Sequence, residues 1–155
     1  MTIIRIGFSG TRHGMTALQI RGAYWTLNRI ALTEDQDPES ELREVHHGDC
    51  TGADAEFHVI ATAAGWRTVA HPPLNDRLRA WCKADEVREP KDYLARDRDI
   101  ASETGVLIAA PASPVPVRGS GTWATIGYAN QLRRPVWLCL PDGRVIPHYR
   151  AEAAS

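Results

Sequence analysis

Arg118-Gly119-Ser120-Gly121-Thr122-Trp123-Ala124-Thr125 lies between the apolar run Val106-Leu107-Ile108-Ala109-Ala110 and a helix-like segment, Trp123 to Leu132. Gly119 and Gly121 let the backbone take φ > 0 or approach a ligand closely. Thr122 reads as an N-cap whose hydroxyl also offers a contact to a phosphate oxygen. A glycine turn that runs into a helix N-terminus attracts anions, because free N–H groups and the helix dipole point the same way. The pattern recurs at His47-Gly48-Asp49-Cys50-Thr51-Gly52-Ala53-Asp54 and at Gly7-Phe8-Ser9-Gly10-Thr11-Arg12. Each turn directly follows a predicted strand, which points to a nucleotide site at the strand C-termini of an open sheet.

Outward from these turns the chain alternates. Strands are predicted over Ile3 to Phe8, Glu44 to His47, Arg67 to His71, Gly105 to Ala110 and Pro135 to Leu140, with an edge strand at Arg144 to Ile146. Helices are predicted over Met15 to Leu32, Ala53 to Ala64 (closed by Gly65), Tyr93 to Glu103 (capped by Asp92) and Trp123 to Arg133. In the first helix Leu18, Tyr24 or Trp25, and Ile30 fall on one apolar face. Thr33 to Ser40 is acidic and reads as an exposed loop. Leu74 to Lys91 reads as irregular with one short helix, and Pro111 to Arg118 as a proline-rich loop. Strand–helix alternation implies βαβ crossovers, hence an α/β, single-domain, Rossmann-like three-layer fold with a mostly parallel central sheet. The most apolar strand, Gly105 to Ala110, is expected at the sheet centre. The domain is taken as residues 1–150, with a frayed tail from Ala151 to Ser155.

The bulk composition narrows the class. The 155 residues suffice for one domain with a real core, and 43% apolar against 24% charged residues is ordinary for a soluble globular chain. A net charge of −1 gives no global electrostatic case for nucleic acid, which is therefore set aside as a partner. No apolar run approaches the ~20 residues of a membrane span. The N-terminus reads as a strand and not a signal peptide. Three widely spaced cysteines, Cys50, Cys82 and Cys139, argue against a disulfide framework and for a reducing cytoplasm.

Gly7-Phe8-Ser9-Gly10-Thr11-Arg12, His47-Gly48 with Gly52-Ala53-Asp54, Arg96-Asp97-Arg98-Asp99-Ile100 and Arg118-Gly119-Ser120-Gly121-Thr122 together resemble the SLOG superfamily over about Ile3 to Leu140. That group includes the Lonely Guy phosphoribohydrolases, the DprA-like Rossmann domains and the YpsA-type proteins. The resemblance implies a modified Rossmann fold binding a nucleotide or nucleotide derivative, and a homodimer or higher homo-oligomer. Lonely Guy hydrolases carry a proline-glycine-glycine-x-glycine-threonine-x-x-glutamate motif with a catalytic glutamate. Here Gly121-Thr122 matches its glycine-threonine, the proline and glycines before it are not kept in full, and Thr125 stands at the glutamate position. A threonine cannot act as a carboxylate base, so binding or sensing without turnover is the first expectation. The arginine–asparagine pair of the YpsA-like branch appears as Arg96-Asp97.

The candidate ligand-binding residues are Ser9, Gly10, Arg12, Gly48, Thr51, Gly52, Arg96, Gly119, Ser120, Gly121 and Thr122. The glycine turns would hold phosphate or ribose through backbone N–H groups; the bland alternative is plain strand-to-helix connection, with Asp49 or Thr51 as a cap. Arg12 and Arg96 would grip phosphate. Arg98, two residues on, faces elsewhere and reads as half of a surface ion pair. The expected ligand is a nucleoside 5′-monophosphate or an ADP-ribose-like derivative. The alternative is a divergent N-glycosidase releasing base from a nucleoside monophosphate, with Asp54 or Asp97 supplying the catalytic carboxylate. Trp81 and Trp123 are candidates to stack on a base, whereas Trp25, Trp66 and Trp137 read as core or interface. No cofactor and no metal are expected: adjacent His46 and His47 point to opposite faces of a strand, and no CxxC or HExxH pattern occurs.

Overall fold

The computed structural model describes residues 3–34 and 42–148. Most of the predicted acidic loop, and the whole tail from Ala151, lie outside the described residues. Seven strands form one sheet: β1 (Ile3–Gly10), β2 (Leu42–His47), β3 (Arg67–Ala70), β4 (Glu86–Val87), β5 (Val106–Ala110), β6 (Val136–Cys139) and β7 (Val145–His148). Their order is β4-β3-β2-β1-β5-β6-β7, parallel throughout except for β7, which pairs antiparallel with β6. Four α-helices cover the faces: α1 (Ala17–Glu34) and α2 (Ala53–Ala63) on one, α3 (Tyr93–Glu103) and α4 (Gly121–Gln131) on the other. A three-residue 3-10 turn, Asp76–Leu78, is the short helix of the irregular segment.

The central strand is β1 and not β5, although β5 has the more apolar sequence. Both lie between parallel neighbours, so both can be apolar on each face. β1 carries Ile6 and Phe8, both fully buried, and Phe8 stacks on Phe57 of α2 with ring centroids 4.1 Å apart. The strand order reverses between β1 and β5, which is where open α/β sheets leave a crevice at their C-terminal edge.

The packing face of α1 departs from expectation. Leu18, Tyr24 and Trp25 are about half exposed, whereas Ala23, Leu27, Ile30 and Ala31 are buried. Small residues let the helix lie close to the sheet, and the face tolerates two polar side chains because both are satisfied. Gln19 Nε2 donates to the carbonyls of Pro111 and Cys139 at 2.9 and 2.8 Å, and Thr26 Oγ1 donates to Gly22 O. Thr16 and Gln19 also form a reciprocal cap: each side chain accepts the other's backbone N–H, at 3.0 and 3.2 Å. That cap starts α1 after Thr16 and not at Met15. Among the described residues no helix is long and apolar enough to cross a membrane.

Candidate functional site

The C-terminal ends of β1 and β2 and the N-terminal halves of α2, α3 and α4 converge on one cluster: Ser9, Gly48, Cys50, Asp54, Arg96, Asp97, Gly121 and Thr125. Arg96 sits on α3 and is 9% exposed. Its Nη1 donates to the Gly48 carbonyl and to Cys50 Sγ, the latter at 3.0 Å. A side chain at position 48 would stand 2.8 Å from Asp54 Oδ2 and 2.9 Å from Arg96 Nη1, so only glycine lets the arginine and the carboxylate approach the strand end. Asp97 follows Arg96 and keeps Oδ1 3.5 Å from its Nε.

Three buried polar atoms here make no hydrogen bond: Asp54 Oδ1, Asp97 Oδ2 and Arg96 Nε, the last keeping only its 3.5 Å ion pair with Asp97 Oδ1. Buried polar groups are usually hydrogen-bonded, and although Arg88 Nε, Trp123 Nε1 and Arg134 Nε are likewise unsatisfied elsewhere, three such atoms in one cluster make it the candidate site. The electrostatics agree. Burial pushes Asp54 up to about 6, with the Arg96 charge and the Cys50 amide pulling the other way. Burial pushes Asp97 up to about 7, again opposed by Arg96 and reinforced by the neighbouring Asp54. Burial and the Asp54 charge raise the Cys50 thiol above its ordinary value, against the pull of Arg96, so it is no ready nucleophile.

The glycine turns divide into two kinds. In the turn between β2 and α2 the backbone donors are already committed. Cys50 N–H reaches Asp54 Oδ2 at 3.2 Å, Asp49 N–H reaches His47 Nδ1 at 3.0 Å, Thr51 N–H reaches Leu78 O and Ala53 N–H reaches Thr11 O, both at 2.9 Å. Asp54 thus occupies the place in which a phosphate was expected, and Thr51 is exposed with its amide spent. Gly52 has φ of +93°, and a Cβ there would run into the Arg12 backbone. Gly10 ends β1 where a Cβ would meet Ala53 at 2.5 Å. Gly10 and Gly52 therefore serve close packing of the first two turns, and the Arg12 side chain is exposed.

The turn before α4 is different. Ser120, not Thr122, is the N-cap: its Oγ accepts from Trp123 N at 3.2 Å. Thr122 is buried under the first turn, which removes its hydroxyl from the solvent side. Gly119 takes φ of +85° in open space, and the residues from Val115 to Gly119 are exposed. Gly121 opens the helix beside Asp97, 3.7 Å from its Oδ2 to a built Cβ. At the position of the family glutamate, Thr125 is fully buried; its hydroxyl donates to Gly121 O at 2.9 Å and meets Ser9 Oγ at 3.4 Å.

Arg98 stacks over the Tyr128 ring, 4.9 Å from its centroid, in place of the expected ion pair. Trp81 is exposed with Arg79 packed on its ring at 3.7 Å, and Trp123 packs edge-on against His148. Asp49, read from the sequence as a possible cap, is buried and instead organises the segment after β3 by accepting Arg79 Nε at 3.1 Å and Cys82 N–H at 2.9 Å. Sequence reasoning missed the buried pairing of His46 with His71 and Glu44. The alternation that separates His46 from His47 was the available signal, read only as an argument against one shared site.

A cavity of about 440 Å³ opens at the opposite, N-terminal edge of the sheet, bordered by Arg5, Trp25, Arg29, Gly105 and Trp137. It contains none of the buried carboxylates.

No family model matches the chain, and no curated protein matches it in sequence. Solved structures do resemble it. The molybdenum cofactor binding protein of the phototrophic bacterium Rippkaea orientalis superposes with a TM-score of 0.64 at 22% identity, over 89% of this chain and 77% of that one. The molybdenum cofactor carrier protein of Chlamydomonas reinhardtii gives 0.60 at 23% identity, over 88% and 76%. DNA processing protein A of Helicobacter pylori, which has a single-stranded DNA binding mode, gives 0.56 at 17% identity, over 88% and 65%. This last likeness corrects the charge argument against nucleic acid: the same architecture serves a nucleic-acid ligand elsewhere, so a net charge of −1 does not set that class of partner aside. The strand order and these superpositions agree that the chain has a Rossmann-like α/β fold with a mostly parallel central sheet.

Proposed function

We propose that the chain binds a small phosphorylated heterocycle of the nucleotide class, such as a nucleoside 5′-monophosphate or an ADP-ribose-like derivative, and holds it without turnover. The observation that carries this reading is the set of buried atoms without a hydrogen bond, Asp54 Oδ1, Arg96 Nε and Asp97 Oδ2, at the sheet's switch point. Arg96 Nε supplies a charged donor, the amides that open α4 at Gly121 and Thr122 supply an anion-favouring helix end, and the two carboxyls supply acceptors for amino or ring N–H groups. Thr125 at the family's glutamate position supports binding over hydrolysis, because its hydroxyl is spent on Gly121 O and brings no charge. The molybdenum cofactor proteins that share the fold broaden the ligand class to small cofactors other than nucleotides.

A second reading, N-glycosidic hydrolysis, rests on Asp54 and Asp97. Carboxyls held at about 6 and about 7 are suited to donate or accept a proton near neutral pH. One experiment separates the two. The protein is incubated with a pool of nucleoside monophosphates and ADP-ribose, and both the retained and the free fractions are read by mass spectrometry. Binding without turnover gives an intact nucleotide retained on the wild type and lost from Arg96→Ala. Free base with ribose 5-phosphate overturns it in favour of hydrolysis, and an empty retained fraction with no product in the free fraction overturns both.

A further inference from the structure

A second constellation of buried side chains lies away from the Arg96 cluster. His46 of β2 and His71, just past β3, are 1% and 2% exposed, and Glu103 at the end of α3 reaches over them. His46 Nδ1 stands 2.8 Å from His71 Nε2, and His71 Nε2 stands 3.7 Å from Glu103 Oε2. We propose that His46, His71 and Glu103 bind one divalent transition-metal ion of the zinc class, with a fourth position left open.

The protonation pattern favours this trio. His46 Nε2 lies 2.6 Å from Glu44 Oε1, so that nitrogen carries the proton and donates it to the carboxylate. The Nδ1 lone pair is thereby turned toward His71. Glu44 is 6% exposed and fixed in turn: Arg67 Nη1 donates to Oε2 at 2.7 Å and Arg5 Nε to Oε1 at 3.3 Å. A carboxylate on the far nitrogen of a ligating imidazole is the usual outer support of a histidine–metal bond. Without an ion, His71 Nε2–H donates to His46 Nδ1. With an ion, the proton moves to His71 Nδ1 and both lone pairs face the metal. The two nitrogens must part by about half an ångström to share a tetrahedral ion with bonds of about 2.0–2.1 Å. Glu103 offers Oε2 while its Oε1 accepts Arg88 Nη2 at 2.9 Å. Two imidazoles and one carboxylate form a donor set that suits zinc and leaves a site for water or substrate.

A rival cluster, His47, His58 and Cys82, is equally compact. There the protonation runs the wrong way. His47 Nδ1 accepts the Asp49 amide at 3.0 Å, so Nε2 holds the proton and donates it to His58 Nδ1 at 3.0 Å. A metal on that Nε2 would cost the amide bond. His46 and His47 thus do point to opposite faces, as their adjacency requires, and each finds a different partner set.

The test is a titration of the tag-free, chelator-stripped full chain with Co²⁺, read by its visible d–d absorption, and with Zn²⁺ by calorimetry. The expected result is one equivalent bound. Glu103→Gln and His71→Gln should each weaken binding at least about tenfold, Glu44→Gln should weaken it about 10–100-fold, and His58→Gln should leave it unchanged. Glu103 is partly exposed, so its variant reports even if the buried histidine variant misfolds. Absence of any Co²⁺ band, a band indifferent to Glu103→Gln, or one abolished by His58→Gln would overturn the assignment. None of these readouts depends on nucleotide binding.

Discussion

Asp54 Oδ2 accepts the backbone N–H of Cys50 at 3.2 Å, so the turn between β2 and α2 holds an anion of the protein's own. The glycine turn has the shape of a phosphate cradle, yet its donors are turned inward on a side chain four residues further along.

Removing that carboxylate should free the cradle. In Asp54→Ala the Cys50 amide and Arg96 lose their internal anion, and inorganic phosphate becomes the natural replacement. Phosphate at 10 mM should raise the Tm of Asp54→Ala by several degrees more than that of the wild type, at about [L] = 100 Kd. Thermal unfolding with and without phosphate checks this; equal shifts in both proteins would show that the turn gains no anion site.

Asp97 gives a pH signature. Its carboxyl is held at about 7 in the fold against an ordinary value of 3.8. Below 3.8 both folded and unfolded chains are protonated and burial carries no ionisation penalty. Between about 4 and 7 the unfolded chain loses its proton first, so stability falls with rising pH and levels off above 7. Asp97→Asn cannot ionise and should escape this loss. The Tm advantage of Asp97→Asn over wild type should grow from pH 5 to pH 8, reaching on the order of 5 °C. Comparing the two proteins at each pH cancels the titration of other buried groups, such as His47, which burial and the nearby His58 hold at about 3.

Arg96 is the cation that makes two buried carboxyls tolerable. Arg96→Met removes it and leaves the Gly48 carbonyl without its donor. Breaking a buried charge cluster from one side costs about 3–5 kcal/mol. Chemical denaturation should show a loss of that size at pH 8, and a smaller one at pH 5, where Asp54 and Asp97 escape ionisation. A pH-independent loss would mean that Arg96 acts through packing alone.

Two glycines with positive φ should behave differently. Gly52→Ala forces a Cβ into the Arg12 backbone, whereas Gly119→Ala meets nothing within 4 Å. The first should cost about 2–4 kcal/mol and disturb both turns; the second should cost about 1 kcal/mol from φ alone. Because Gly119 borders the proposed ligand and Gly52 supports the scaffold, Gly119→Ala should weaken ligand binding out of proportion to its effect on Tm.

Where hydrophobic periodicity and glycine punctuation are local, the sequence was sufficient. The helix Tyr93–Glu103 and its Asp92 cap, which accepts the Ala95 amide at 3.1 Å, follow from the chain directly. So do the parallel strands and an edge strand at β7, because βαβ alternation leaves few other topologies. Arg96 and Asp97 were legible as a pair through their motif. Other features were not local. The buried face of α1 depends on which side meets the sheet, and small residues won over aromatic ones. The fate of Gly48 to Asp54 depends on where backbone donors find acceptors. Leu78, Thr11, His47 and Asp54 claim them, and the first two are distant in sequence from the amides they serve.

The sequence by itself determined the alternation of strands and helices, the position of the turns and the residue types that reach the C-terminal edge of the sheet. Those follow from short-range sterics and a repeating apolar pattern. Only the tertiary structure decided which polar groups are already satisfied and which are left over. It gave Asp54 to a turn that reads as a phosphate loop, left Arg96 Nε and Asp97 Oδ2 without hydrogen bonds, and joined His46 to His71 across neighbouring strands. Hydrogen-bond satisfaction is a property of the whole packed chain, since each donor is claimed by whatever acceptor folding brings within about 3 Å.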